Sequence, residues 1–189
     1  MTADRRRSCA RISPRAWTSR GTDAPAKFLA RHTRPTCIHS HSPVSLITGT
    51  DPDFRTDVAA EQARLAEHDV IVFQHPVFSY NTTPLFKQWQ DKVFTLGWAF
   101  TMDGSASRLA GKKAVVAVTT GVPADHYTPE GANEATIETL LSNGHATLRL
   151  CQFDIQPMVK LYGTAFGLSD EDLATAAKQY NELLASFAA

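Results

Sequence analysis

The stretch that most restricts how this chain can fold is residues 70–100, VIVFQHPVFSYNTTPLFKQWQDKVFTLGWAF, which sets a buried strand, a stiff turn and a helix in unbroken succession. Val70, Ile71, Val72 and Phe73 form a continuous β-branched and aromatic run, the pattern of a parallel strand covered on both faces. Pro76 withdraws a backbone donor and is expected to end the ladder. A polar loop bearing an aromatic residue follows, from Ser79 to Thr83. Pro84 then suits the first position of a helix whose Leu85, Phe86, Trp89, Val93 and Phe94 recur on one apolar face. In an open α/β sheet, such a strand-to-helix turn is where ligands bind.

A second unit of the same kind lies downstream. Residues 114–119 (AVVAVT) read as another buried strand whose carboxyl end carries Thr119, Thr120 and Gly121. Residues 76–83 and 119–133 are then expected to leave neighbouring parallel strands on one edge and converge over a crevice that fits a planar ring. The competing reading is that Pro76 and Gly121 merely end strands. Around these units, Asp57 is the expected N-cap of a scaffold helix with Leu65 on its buried face, and residues 134–150 are expected to form one helix. Residues 157–162 read as the last strand, and Ser169 caps an acidic helix start at Asp170, Glu171 and Asp172. The alternation predicts an α/β class fold with an open parallel sheet and helices on both faces.

The chain's 189 residues, 43% of them hydrophobic, suffice for one such domain and argue against two. No run approaches the roughly 18 apolar residues of a membrane span, and no secretory core is visible, so a cytoplasmic protein is expected. Cys9, Cys37 and Cys151 are odd in number and in no ligand spacing, which gives no support to a disulfide framework or a metal site. The net charge of zero hides an imbalance: residues 1–40 carry nine cations against Asp4 and Asp23, a net of +7, and the remainder carries −7. Such a leader suits a targeting peptide or a nucleic-acid arm, but Arg5, Arg6 and Arg7 lack interleaved aromatics. A solvated stretch is the blander reading, with no nucleic-acid partner. Residues 1–43 show no strand and are expected to be an irregular N-terminal segment, with 44–189 as the domain and 44–47 as a second strand. The middle strand of an open sheet, which precedes a phosphate-holding loop, is expected to be altered or missing there. An out-of-frame replacement of that unit would explain it.

The central unit carries a resemblance. Gln74, His75, Pro76, Tyr80, Pro84, Lys87 and Trp89, then Asp91, Lys92, Val93 and Phe94, then Gly97, Trp98, Ala99 and Phe100 match a family pattern. On these residues the chain resembles the flavodoxin-like NAD(P)H:quinone oxidoreductases, including the branch that accompanies glutathione-gated potassium efflux systems, over residues 51–187. The resemblance implies a flavoprotein, with FMN or FAD as cofactor and NAD(P)H as co-substrate, that passes two electrons to a quinone-like molecule in a ping-pong cycle. It implies that Pro76, Val77, Phe78, Ser79, Tyr80, Thr119, Thr120, Gly121 and Val122 hold the flavin. Val122 stands where relatives have a second glycine, and its Cβ is expected to restrict positive φ and narrow the slot. Tyr127 matches a tyrosine that donates to the quinone oxygen or stabilises the reduced flavin, though packing is an equal reading of a loop tyrosine. Asn133 stands where one branch has a proton-relaying histidine, and an amide orients without titrating. Phe100 and Met102 match positions that wall the partner's substrate site in a homodimer, or else they are ordinary interface or core residues. His75, Trp89 and Trp98 read as structural. The alternative function is a non-catalytic regulatory subunit bound to a potassium efflux protein, peripheral to the inner face of the membrane.

Overall fold

The computed structural model describes residues 36–39 and 57–187 of the chain. Its centre is a parallel sheet built from β1 (Thr36–His39), β2 (Val70–Pro76), β3 (Lys113–Thr119), β4 (Asp154–Ile155) and β5 (Val159–Leu161). β2 lies between β1 and β3, in the register Thr36 to Ile71 on one side and Val70 to Lys113 on the other. β4 and β5 share the far edge of β3: β4 pairs at Lys113 and Ala114, and β5 at Ala117, Val118 and Thr119. Pro157, which has no amide hydrogen to donate, falls in the gap between them.

The side-chain alternation of the strands sorts the core into two faces. Ile71, Phe73, Ala114, Val116 and Val118 point into the larger cluster, which is covered by α1 (Val58–Glu67) through Leu65 and by α2 (Pro84–Val93) through Phe86, Trp89 and Val93. Ile137, Leu141 and Leu148, from α3 (Ile137–Leu140) and α4 (Ser142–Leu150), complete that cover. Phe73 is its hub, with ring centroids 5.8 Å from both Phe86 and Phe153 and 6.3 Å from Phe94. On the other face Val72, Val115 and Ala117 pack against Tyr180 and Leu184 of α5 (Asp170–Ser186).

Local chemistry explains the helix starts. Asp57 accepts from the Ala60 amide at 3.0 Å, as expected of an N-cap. Thr83 caps α2 ahead of Pro84, accepting from Phe86 N–H at 3.3 Å while fully buried. Ser169 and Asp172 form a reciprocal capping box that opens α5.

Several expectations are corrected. Residues 1–43 do contain a strand, since β1 lies within them beside β2; the rest of that segment lies outside the described residues. Pro76 closes β2 as expected, and it does so paired with Thr119. The single helix expected over 134–150 starts at Ile137 and divides at Leu141, whose backbone departs from helical geometry. The last strand is only Val159–Leu161, preceded by β4. The strand expected at 44–47 lies outside the described residues. Among the described residues no helix is long and apolar enough to cross a membrane.

Candidate functional site

The two strands that matter end together. Pro76 pairs with Thr119, and the Val77 amide continues the ladder by donating to Thr119 O at 2.8 Å, so the loops after β2 and β3 leave the sheet side by side. Tyr80 and Gly121 are therefore on one edge of the molecule.

The loop after β2 is a tight hairpin. Phe78 and Asn81 exchange two backbone hydrogen bonds of 2.9 Å, and the residues between them, Ser79 and Tyr80, have φ of 45° and 65°. Two consecutive left-handed residues make the kind of two-residue turn that usually takes Asn-Gly. Holding Ser and Tyr there costs about 1–2 kcal/mol per residue, and backbone strain of this sort collects where a loop meets a ligand. The turn presents Tyr80, 56% exposed, at the rim.

The loop after β3 is held by a neighbour instead. Thr120 N–H donates to Leu161 O, and Gly163, Thr164 and Ala165 donate in turn to the carbonyls of Val122, Thr120 and Gly121 at 2.9–3.1 Å. The Thr164 hydroxyl also donates to Thr120 O, and the Thr120 hydroxyl to Val122 O, each at 2.9 Å. Since the carbonyls of residues 120–122 are taken, the free valence of this loop is its amides. The N–H groups of Gly121 and Val122, like those of Ser79 and Tyr80, have no hydrogen-bond acceptor among the described residues. Val122 does not have a positive φ. Its Cβ therefore imposes no left-handed strain here, and its side chain packs against the main core.

Farther along, residues 124–126 form a short 3-10 turn that leads into Tyr127, whose ring is buried in the larger core cluster. Asn133 N–H donates to His126 O at 3.0 Å and folds the loop back on itself. Gly131 is required at that fold, because a Cβ there would lie 2.3 Å from Asp125 O and 2.8 Å from His126 O. Tyr127 is 9% exposed, and its ring stands 5.8 Å from that of Tyr162. Burial raises its pKa above the ordinary phenol value; a hydrogen bond with the Thr120 side chain opposes the rise, and nearby Tyr80 and Tyr162 add to it. Tyr127 is therefore neutral and a hydrogen-bond donor at neutral pH. The Asn133 Nδ2 atom is buried without a hydrogen-bond partner among the described residues.

The structure thus brings together Pro76, Val77, Phe78, Ser79, Tyr80, Thr119, Thr120, Gly121, Val122 and Tyr127, with Asn133 tied to the same loop. It treats Phe100 and Met102 differently. Phe100 packs against the core and bridges to Leu96, whereas Met102 is 82% exposed. His75 is a core residue, stacked on Phe86 at 4.9 Å, with Nδ1 3.0 Å from Pro76 O. Sequence reasoning missed Tyr162 and Thr164. The signal for Tyr162 was the period-2 pairing of Lys160 with Tyr162 in the short run after Pro157. No group of three or more potential metal ligands occurs among the described residues.

The donor set, four unpartnered amides on two adjacent loops plus an orphaned buried amide nitrogen and a neutral phenol, fits a flat heteroaromatic ring rich in acceptors.

Known proteins share this fold. The family model described as a flavodoxin-like fold matches residues 23–184, beginning inside the segment expected to be foreign to the fold. The ancillary protein KefG of the glutathione-regulated potassium-efflux system of Pectobacterium carotovorum subsp. carotovorum is 40% identical over 136 residues, 71% of this chain and 72% of its own. The structure of general stress protein 14 of Treponema denticola, solved in complex with FMN, aligns with a TM-score of 0.63 at 32% identity, covering 71% of this chain and 75% of that one. An NADPH-quinone reductase from P. pentosaceus aligns with a TM-score of 0.59 at 26% identity, over 70% of this chain and 77% of that one. The chain belongs to the flavodoxin-like fold family.

Proposed function

We propose that the protein is an oxidoreductase that binds FMN between the loops after β2 and β3 and passes two electrons from NAD(P)H to a quinone-like acceptor. The observation that carries this reading is the pairing of Pro76 with Thr119, which sets two loops with unpartnered amides side by side under a neutral tyrosine. The FMN complex of the Treponema relative and the reductase from P. pentosaceus support it.

When bound, FMN supplies the two-electron chemistry. The amides of Ser79, Tyr80, Gly121 and Val122 would hold the ring and face the negative charge that reduction places on it. The aromatic surfaces of Phe78 and Tyr80, both exposed, would shield the bound ring from water. Tyr127 donates from its hydroxyl to the acceptor oxygen, and Asn133 orients without exchanging a proton. A single crevice served by both reactants in turn gives ping-pong kinetics. Exposed Met102, together with Phe100, suits the contact surface of a homodimer.

The test is spectroscopic. Purified protein reconstituted with FMN should turn yellow, bleach on addition of NAD(P)H and regain its absorbance with benzoquinone. Protein that takes up no FMN would refute the reading. The likeness to KefG favours a second one, in which the protein docks on a potassium efflux protein at the inner membrane face without catalysis. FMN uptake without bleaching, accompanied by binding to such a partner, would favour that alternative.

A further inference from the structure

The strand on the far side of β3 carries a charged pair that the proposed reaction leaves unused. Lys160 and Tyr162 stand two residues apart along β5 and its continuation, so they share one face, while Leu161 between them packs with Leu173 and Ala176 of α5. Lys160 Nζ donates to Glu138 Oε1 at 2.5 Å, which ties β5 to α3. Burial works against charge on Lys160, but the Glu138 carboxylate and the Tyr162 hydroxyl outweigh it and hold its pKa above the ordinary lysine value. The Tyr162 ring meets that of Tyr127 at 5.8 Å with a 41° tilt, and the next residue, Gly163, is hydrogen-bonded to Val122 O.

We propose that Tyr162 is a positioning residue for Tyr127, anchored from behind by Lys160 and Glu138. Tyr127 then has Tyr162 along its ring, and the Lys160–Glu138 pair fixes to α3 the strand that carries Tyr162. A donor must be aligned as well as near, and loss of alignment at fixed chemistry is costly. Because the amide of Asn133 cannot adjust by titration, this rigid backing gives Tyr127 its aim. The inference rests on the reading of Tyr127 as the donor to the acceptor.

The experiment compares Tyr162→Phe, which keeps the ring, and Lys160→Met, which removes the charge, with Lys160→Arg, which keeps it. In FMN-loaded protein, benzoquinone reduction should fall about tenfold in the first two variants. Reduction of ferricyanide, which takes electrons without a proton, should be unchanged, and Lys160→Arg should restore the quinone rate. In flavin-free protein, amide hydrogen exchange at residues 159–163 should quicken in Lys160→Met and stay at the wild-type rate in Lys160→Arg. Equal losses with both acceptors would mark a merely structural role and overturn the inference. So would unchanged quinone rates together with unchanged exchange. If the exchange quickens while wild-type protein fails to turn over, the redox reading falls and the anchoring stands.

Discussion

The two loops that frame the crevice are stabilised in opposite ways. The hairpin after β2 closes on its own backbone and carries its strain internally, at Ser79 and Tyr80. The loop after β3 is unstrained at residues 120–122 but depends on the turn after β5, whose residues 163–165 donate to all three of its carbonyls. Damage to the first should stay local, and damage to the second should spread to Tyr127 and β5. A rigid local element beside one fixed from outside lets a ring be gripped from two directions with different compliance.

The most severe break is Gly131→Ala. A Cβ 2.3 Å from Asp125 O cannot be accommodated without moving backbone, so the variant should lose about 3 kcal/mol in denaturant unfolding. Its Tyr127 loop should open while the hairpin amides keep their exchange protection. Next is the pair Ser79→Asn with Tyr80→Gly, which gives the turn the residues its dihedrals favour. Stability should rise by about 1–2 kcal/mol while FMN affinity falls with the lost Tyr80 ring. Thr164→Val removes one hydroxyl donor from Thr120 O and should cost about 1 kcal/mol. Hydrogen exchange should then quicken at the bonded amides of Thr120 and residues 163–165 and not at Phe78 and Asn81, which sharpens the contrast directly.

The smallest effect is pH-dependent and belongs to the strand beneath the hairpin. Burial lowers the His75 pKa below 6.5 in the folded state, and the bond to Pro76 O opposes that only partly. A histidine with a depressed folded value binds more protons when unfolded. Its stabilising contribution is therefore full above about pH 6.5 and is lost as pH falls below that toward the folded value. His75→Phe should flatten the stability profile of acid melts in that window, and a slope unchanged from wild type would exclude His75 as its source.

How much could be read in advance follows from where the physical signal sits. The run from Val70 to Phe73, Pro84 at a helix start and the apolar face of α2 are local patterns, and each is realised in place. The convergence of the two strand ends was legible because parallel order follows from buried strands joined by helices. β1 was not legible, since Thr36, Cys37, Ile38 and His39 form a short polar-interrupted run that becomes a strand only by pairing with β2. The break at Leu141 depends on tertiary partners that spacing does not specify. At Val122 the sequence shows only that a Cβ is present; that the backbone there has no positive φ is set by the turn after β5.

The central claim is that both loops grip one flat redox ring, and amide-resolved hydrogen exchange during FMN titration tests it most directly. The account predicts saturation at one FMN per chain, with slowed exchange at Ser79, Tyr80, Gly121 and Val122 together. Saturable binding that leaves these four amides unchanged, or that protects one loop alone, would contradict it.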